Sequence, residues 1–339
     1  MNNTIVHPTY SKPDLSFLNR STPPLSNTTL RPRLFEKYDD AIISLVAPVV
    51  AYWAYSLYFH IIDMNKLYEQ YRIHPSEEVA KRNKVGRLEV FLEVLWQHTI
   101  QTVFGLILYH YEELPKTGME NYNMWRFKTM FVPKELCNSE LINKVIYYGY
   151  TYYAFSFLKI FVGFLLIDTW QYWLHRLMHT SKTLYKLFHS RHHRLYVPYA
   201  YGALYNNPVE GFLLDTLGTG IAMIVTKLSP REQIILFTFA TLKTVDDHCG
   251  YALPYDPFQW LFPNNAVYHD IHHQPWGIKS NFAQPFFIFW DKLTKTEYKG
   301  YVEYRLQQRR VTIDKYKEFL AKREQERLSR IEDMKKKAI

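Results

Sequence analysis

The chain has 339 residues, of which 47% are hydrophobic and 17% aromatic, and its formal net charge is +9 at pH 7. Long aromatic and apolar stretches lie next to the basic residues, which predicts a membrane protein with a surface facing anionic lipid and argues against a soluble or nucleic-acid-binding protein. The two cysteines, Cys137 and Cys249, lie far apart, which excludes a disulfide framework and a thiolate metal cluster.

Residues 1–40 are rich in Pro, Ser, Thr and Asn and lack the apolar core of a signal peptide. They are therefore predicted to form a flexible tail, which we expect to lie in the lumen. This tail contains three N-glycosylation triplets, at Asn2, Asn19 and Asn27.

Apolar stretches predict the membrane helices. The run 41–62 is long enough to cross a hydrocarbon core of about 30 Å at 1.5 Å per residue. The run 88–111 carries Glu89, Glu93 and His98 but is strongly apolar in its central and later part, and 145–167 is strongly aromatic. The shorter runs 211–228 and 233–245, broken by "SPRE", predict a hairpin that enters and leaves from one side. We therefore expect an all-α integral membrane protein with about four membrane-crossing helices, the last two as a shorter hairpin, and a cytosolic helical cap with a His-rich dimetal site.

The predicted regions after the tail are membrane helices and loops at 41–144, a catalytic domain at 145–300 and a basic cytosolic tail at 301–339. Apolar positions spaced among charges from Val311 predict a helix on a solvent or membrane surface. The last residues, "KKKAI", resemble the dilysine retrieval signal of the endoplasmic reticulum. That signal would place the C-terminus and the His-rich segments in the cytosol, together with the lysine- and arginine-rich loop 63–87.

Nine of the 14 histidines fall in three short motifs and one further position. In "DTWQYWLHRLMH" two histidines stand at i and i+4 on one helical face, whereas "FHSRHH" and "YHDIHH" each place three at i, i+3 and i+4. Nine buried imidazoles beside membrane spans are hard to explain as structure, because each needs hydrogen-bond partners and protonated rings repel one another. The predicted metal ligands are His175, His179, His189, His192, His193, His248, His269, His272 and His273.

Neutral imidazole suits zinc, copper, iron and nickel, and nine rings exceed what one ion binds, so we expect two ions sharing about four imidazoles each. Asp246, Asp247 and Asp270 are candidates to orient the ring N–H groups, although each is equally consistent with a turn or cap residue. His98 and His110 are predicted to be packing or interface residues. No residue is assigned to an organic cofactor.

The segments "WLHRLMH", "HSRHH" and "YHDIHHQPWGIKSNFAQPFFIFWDKL" resemble the three histidine boxes of the fatty acid hydroxylase and sterol desaturase superfamily, over roughly residues 145–300. Within it, "LYNNPVEGFLLDTLG" and "TVDDHCGYALPYDPFQW" resemble the sphinganine C4-hydroxylases. Family members commonly place a histidine before the proline of "NPVE". Here that residue is Asn207, which is therefore left out of the metal set.

The resemblance implies an endoplasmic reticulum enzyme with two iron ions that uses O2 and electrons from NAD(P)H, delivered by a separate cytochrome b5 and its reductase. It implies a long-chain base as substrate, hydroxylated at carbon 4. Zinc, which is not redox-active, would be an occupant of the purified protein rather than the functional metal. Alternatives within the superfamily are a C4-methyl sterol oxidase, a sterol desaturase and a fatty acyl hydroxylase. Outside it stand a zinc hydrolase, disfavoured because no H-E-x-x-H motif occurs, and a non-enzymatic metal-binding or transport protein.

Overall fold

The computed structural model describes residues 13–337, and within them the predicted all-α fold is confirmed. The α-helices are α1 Asp40–Met64, α2 Ser76–Arg82, α3 Arg87–Tyr111, α4 Glu120–Phe131, α5 Glu140–Thr151, α6 Ala154–Thr180, α7 Lys182–Leu184, α8 Pro208–Gly211, α9 Leu217–Thr226, α10 Pro230–Asp247, α11 Pro257–Leu261, α12 Ala266–His273, α13 Phe289–Thr294 and α14 Tyr301–Lys337. The 3₁₀ helices are Ser16–Asn19, Glu69–Tyr71, Lys134–Leu136, His192–Arg194 and Ala200–Gly202, and the π-helical turns are Tyr185–His189 and Phe212–Thr216. Strands β1 (Thr29–Leu30) and β2 (Lys116–Thr117) form a short antiparallel pair in which Thr29 faces Thr117.

Among the described residues, four helical segments are long and apolar enough to cross a membrane. They are Asp40–Met64, Arg87–Tyr111, Ala154–Thr180 and Pro208–Thr226, the last formed by α8, a π-helical turn and α9 in one continuous run. The prediction of about four membrane helices is therefore confirmed. α10 forms the second arm of the predicted hairpin but is too rich in charged residues to belong to this set.

The third membrane helix begins later than predicted. The run 145–167 was expected to be one helix, but α5 ends at Thr151 and α6 starts at Ala154. Tyr153, between them, adopts a left-handed conformation with φ 65°, which breaks the helix although the sequence there is uniformly aromatic. The predicted domain boundary at 144/145 accordingly falls inside α5. α6 then continues to Thr180, so the first histidine motif lies on its last turns rather than on a following segment.

The hairpin of α9 and α10 turns at the end of the molecule where α1 and α6 begin. Lys227, with φ 51°, ends α9, and a capping box of Ser229 and Glu232 starts α10. Arg231 forms an ion pair with Asp40 at the start of α1 (Nε–Oδ2 2.7 Å). Glu232 forms another with Lys159 on the second turn of α6 (Oε2–Nζ 2.6 Å). This is the distal end; the opposite end, where α1, α6 and α10 finish, carries the histidines.

Part of the N-terminal segment that was predicted to be a flexible tail packs against the helices, at Phe17 and Leu18. Phe17 and Leu18 are buried against Met124 and Ile146, which lie on α4 and α5. The Nζ of Lys128 also donates to the carbonyl oxygen of Leu18. Two apolar residues in an otherwise polar stretch are enough to dock it. Asn2 lies outside the described residues, and use of the triplets at Asn19 and Asn27 stays a prediction.

The C-terminal helix starts at Tyr301, ten residues before the predicted position, because its first turn docks on the histidine end. The Tyr304 hydroxyl donates to Oδ2 of Asp270 on α12 at 2.6 Å. Leu320 and Leu328, farther along α14, are exposed, as expected for a surface helix. The proposed dilysine signal lies partly outside the described residues, which end at Lys337.

Candidate metal centre

The structure brings all nine predicted histidines together at one end of the helices, in two sets. Within each set the nearest ring nitrogens all lie within 4.8 Å of one another. All nine side chains are buried. Cluster A comprises His175, His179, His189, His193 and His272, and cluster B comprises His192, His248, His269 and His273.

The two three-histidine motifs are each divided between the clusters. In "FHSRHH", His189 and His193 belong to cluster A and His192 belongs to cluster B. In "YHDIHH", His269 and His273 belong to cluster B and His272 belongs to cluster A. Positions i and i+4 point in nearly the same direction from a helix, whereas i+3 lies about 100° from i+4, so one turn can serve two sites. The motifs therefore tie the two clusters to each other.

The remaining ligands come from the ends of long helices. His175 and His179 lie on the last turns of α6, and His248 follows directly after α10. Asn265 caps α12 by accepting hydrogen bonds from the backbone N–H groups of Val267 and Tyr268, both at 3.1 Å. This cap fixes the helical start of the motif that begins at His269.

Most rings are oriented by hydrogen bonds from Nδ1–H to backbone carbonyl oxygens. His175 donates to Phe282 at 2.8 Å, and His272 donates to Ser280 at 2.7 Å. In cluster B, the ring Nδ1–H groups of His192, His248 and His273 donate to the carbonyl oxygens of Tyr205, Thr244 and Leu195 at 3.3, 2.9 and 2.7 Å. Because a neutral imidazole with its proton on Nδ1 carries its lone pair on Nε2, these bonds leave Nε2 free to bind a metal.

The free Nε2 atoms converge. In cluster A, Nε2 of His175 lies 3.0 Å from Nε2 of His189 and 3.1 Å from that of His179. In cluster B, Nε2 of His269 lies 3.0 Å from that of His248. Lone pairs directed at one another at these distances repel unless a cation lies between them. Nε2 of His272, moreover, has no hydrogen-bond partner among the described residues. The donor set therefore fits two transition-metal ions, one in each cluster.

Burial keeps the rings neutral. Burial first, and then the neighbouring histidines, lowers the pKa of His189, His193, His269, His272 and His273 well below the ordinary value. Burial also lowers the pKa of His192 to about 4 and that of His248 to about 3. Neutral imidazoles are the protonation state that a metal ion requires.

The carboxylate that forms a hydrogen bond with a cluster histidine is not one of the three predicted aspartates. Among the described residues it is Glu210, on α8, which accepts a hydrogen bond from Nδ1 of His189 and is completely buried. The sequence signal was available, because Glu210 belongs to the "NPVE" segment. Asn207 of the same segment lies outside both clusters; it caps α8 by accepting from the Val209 N–H at 3.0 Å.

The three aspartates have other contacts, so their predicted contact with the ring N–H groups is not observed. Asp247 forms a buried ion pair with Lys243, one turn earlier on α10, and Asp270 contacts His74 and Tyr304. Asp246 is buried, and within the described part of the chain it forms no hydrogen bond to an imidazole ring. Backbone carbonyl oxygens bond Nδ1 of five of the nine rings instead.

Two ion pairs join the segment of the "FHSRHH" motif to α3. Arg191 Nη1 lies 2.9 Å from Oε2 of Glu93, and Arg194 Nη1 lies 2.6 Å from Oε1 of Glu89. These glutamates are the charges that make the predicted span 88–111 less apolar. They hold the 3₁₀ turn His192–Arg194 against a membrane helix.

A largely apolar cavity between α1, α3, α6, α9 and α10 extends from the distal end toward the clusters, and its inner end is lined by neighbours of the cluster histidines. Its lining includes Thr244, whose carbonyl oxygen binds His248, and Gln171, one helical turn before His175. His98 also lines it and makes edge contacts with Tyr52 and Trp53, in agreement with its predicted packing role. His110 is exposed at the distal end of α3. The cavity offers space for an apolar molecule between the membrane helices, close to the two clusters.

Comparison with known proteins matches the region that holds all nine histidines. The fatty acid hydroxylase family model matches residues 160–296. The chain is 62% identical to a sphingolipid C4-hydroxylase of Saccharomyces cerevisiae, across 96% of this chain and 91% of that protein. It is 46% identical to a sphingolipid C4-hydroxylase of Schizosaccharomyces pombe (76% and 89% covered) and 42% identical to a sphinganine C4-monooxygenase of Arabidopsis thaliana (80% and 91% covered). No solved structure matches the chain.

Proposed function

The chain belongs to the fatty acid hydroxylase family and is an enzyme, and on that premise we propose that it hydroxylates carbon 4 of sphinganine to give phytosphingosine. The observation that carries this proposal is the convergence of nine buried imidazoles close to the inner end of a largely apolar cavity. The names of the most similar relatives support the choice of substrate and position.

We propose that clusters A and B hold two iron ions, with zinc as a substitute in purified protein. Bound iron would supply the redox chemistry that activates O2 for insertion into an unactivated C–H bond, which zinc cannot supply. The protein's own contribution is to keep the Nε2 lone pairs unprotonated and directed inward. In the overall reaction one oxygen atom enters the C4–H bond and the other leaves as water, while two electrons and two protons are consumed.

We expect the electrons to come from NAD(P)H through cytochrome b5 and its reductase. The proposed location is the endoplasmic reticulum membrane, with the histidine end facing the cytosol. Its support is the distribution of basic residues: the loop after α1 carries Lys66, Arg72, Lys81, Arg82 and Lys84 on the histidine side. The described basic helix α14 starts at that same end.

Mass spectrometry of long-chain bases tests the function directly. The wild-type chain and its His272→Ala variant would be expressed in a host that lacks C4-hydroxylated bases. The matched control is His110→Ala, because His110 is an exposed histidine outside the clusters. We expect phytosphingosine with the wild type and with His110→Ala, and none with His272→Ala.

Other products would overturn the substrate. A new hydroxylated or desaturated sterol, or a 2-hydroxylated acyl chain, would keep the chain in its family but contradict sphinganine hydroxylation. Absence of any new lipid from folded, iron-loaded protein supplied with the electron-transfer chain would contradict the proposed reaction altogether.

A further inference from the structure

The cavity whose inner end lies near the two histidine clusters has about the length of one lipid chain. Along α3 it is lined from His98 to Glu112, which corresponds to about 20 Å at 1.5 Å per residue. A lipid chain in one leaflet occupies about 15 Å, half of the roughly 30 Å hydrocarbon core. The middle of the cavity is apolar, with Leu45, Val49 and Leu108 in its wall. A single alkyl chain therefore fits along it.

The inner end of the cavity is polar and incompletely paired. Asp215 and Thr216, on the π-helical turn between α8 and α9, line the cavity together with His98. Each has a buried polar atom with no partner among the described residues: Oδ2 of Asp215, Oγ1 of Thr216 and Nδ1 of His98. Leaving such buried polar atoms unpaired costs free energy, particularly within a membrane, so a bound ligand is expected to form hydrogen bonds with them.

The distal end of the same cavity is different, since its polar groups pair with each other. The amide Nε2 of Gln233 donates to Oε1 of Glu112 at 3.5 Å, and the Ser44 hydroxyl donates to Oε1 of Gln233 at 3.4 Å. The polar part of a ligand is thus expected at the inner end, with its alkyl chain directed toward the distal end.

Asp215 is the acidic residue at that inner end, and no lysine or arginine of the described residues lines the cavity. Its Oδ1 accepts a hydrogen bond from Nε2 of Gln171 at 3.1 Å, which fixes the carboxyl group one helical turn before His175. In a long-chain base the amino group is on carbon 2, and carbon 2 is two bonds from carbon 4. A substrate with carbon 4 at the clusters therefore places its amino group in the neighbourhood of this turn.

We infer that Asp215, held by Gln171, is the site that binds the ammonium group of a long-chain base. This inference rests on the proposed function and goes beyond it by assigning the residue that selects an amine over a neutral lipid. A sterol or an N-acylated base has no cation to offer this carboxylate. Thr216 and His98 are then available to the substrate hydroxyl groups.

The test is equilibrium binding of tritium-labelled sphinganine to the full-length, iron-loaded protein in lipid nanodiscs, without reductant so that no turnover occurs. The variant is Asp215→Asn, which preserves size and the acceptor for Gln171 but removes the charge. The control is Glu113→Gln, which removes a carboxylate whose side chain is 90% exposed. Unlabelled N-acetylsphinganine and octadecane-1,3-diol, which lack the cation, serve as competitors.

We expect Asp215→Asn to weaken sphinganine binding by roughly 10- to 100-fold, the range of a lost charge-assisted hydrogen bond, and Glu113→Gln to leave it unchanged. The neutral competitors should bind the wild type more weakly than sphinganine and should not distinguish wild type from Asp215→Asn. Equal binding of sphinganine to both proteins would overturn the inference alone. If Asp215→Asn does not fold, equal affinity of the wild type for sphinganine and the diol would overturn it. If the wild type neither bound nor converted sphinganine, the proposed function would fail as well.

Discussion

Glu210 accepts a hydrogen bond from Nδ1 of His189, and both side chains are almost completely buried. A carboxylate that accepts a hydrogen bond from Nδ1 of a metal-binding histidine fixes the tautomer of the ring. It also makes the lone pair of Nε2 a stronger ligand for the metal. We therefore expect Glu210→Gln to lower metal affinity and Glu210→Ala to lower it further, by roughly 10- to 100-fold. The measurement is iron per chain after equilibration with a graded series of iron concentrations.

Glu113→Gln is the matched control for this substitution, because it removes a carboxylate from the exposed distal end. Its iron occupancy should follow that of the wild type. Identical iron titrations for Glu210→Ala and the wild type would show that His189 needs no support from this carboxylate.

The division of the histidines into two clusters predicts two metal ions that can be lost separately. His269→Ala removes a ligand from cluster B, and His179→Ala removes one from cluster A. We expect each variant to retain about one ion per chain where the wild type holds two, since the other cluster keeps its full ligand set. Elemental analysis of purified protein gives the ratio, with His110→Ala as control. Retention of both ions by either variant would contradict the assignment of that histidine.

The histidines could be predicted from the sequence because their spacing is itself a physical constraint. The i, i+3, i+4 motifs require helical turns, and the turns at His189 and His269 bring those rings together as expected. The membrane helices were predictable for a similar reason, since apolar length alone defines them. These features depend on neighbours within a few residues.

The features that sequence reasoning missed depend on contacts between distant segments. Glu210 meets a histidine 21 residues away, and Asp270, predicted to lie behind a metal ligand, instead contacts His74 from the loop after α1. The break at Tyr153 is a backbone conformation that its aromatic surroundings do not signal. Local periodicity does not predict such contacts, because they depend on which helices pack together.

His74 provides a test of pH dependence. Burial by itself lowers its pKa, but the charge of Asp270 and hydrogen bonds to Asp270 and Glu78 outweigh this effect and raise the pKa to about 9. The unfolded chain has the ordinary value of about 6.5. The stabilisation is therefore fully present below pH 6.5, where both states are protonated, and is lost as the pH rises through 9. The shift corresponds to roughly 3 kcal/mol.

The measurement is the thermal unfolding midpoint of the wild type and of His74→Gln between pH 6 and pH 9.5. We expect the wild type to be the more stable at pH 6 and the difference to shrink steadily toward pH 9. His110→Gln, which changes an exposed histidine, should show no such convergence. A difference that is constant with pH would mean that His74 stabilises the protein by packing rather than by charge.

The ion pair between Glu93 and Arg191 predicts a charge-swap rescue. Oε2 of Glu93 lies 2.9 Å from Nη1 of Arg191, which directly precedes the proposed metal ligands His192 and His193. Glu93→Arg places two cations opposite each other and should displace this turn. Because the pair is partly exposed, we expect a modest effect, roughly a two- to fivefold loss of iron affinity. The double variant Glu93→Arg/Arg191→Glu should regain most of the lost iron affinity, since the attraction is restored with reversed polarity.

The same swap at Glu77 and Lys81, an exposed pair on α2, is the control and should leave iron binding unchanged throughout. If the double variant binds iron no better than Glu93→Arg, the two side chains act independently and α3 does not position the "FHSRHH" motif through this pair.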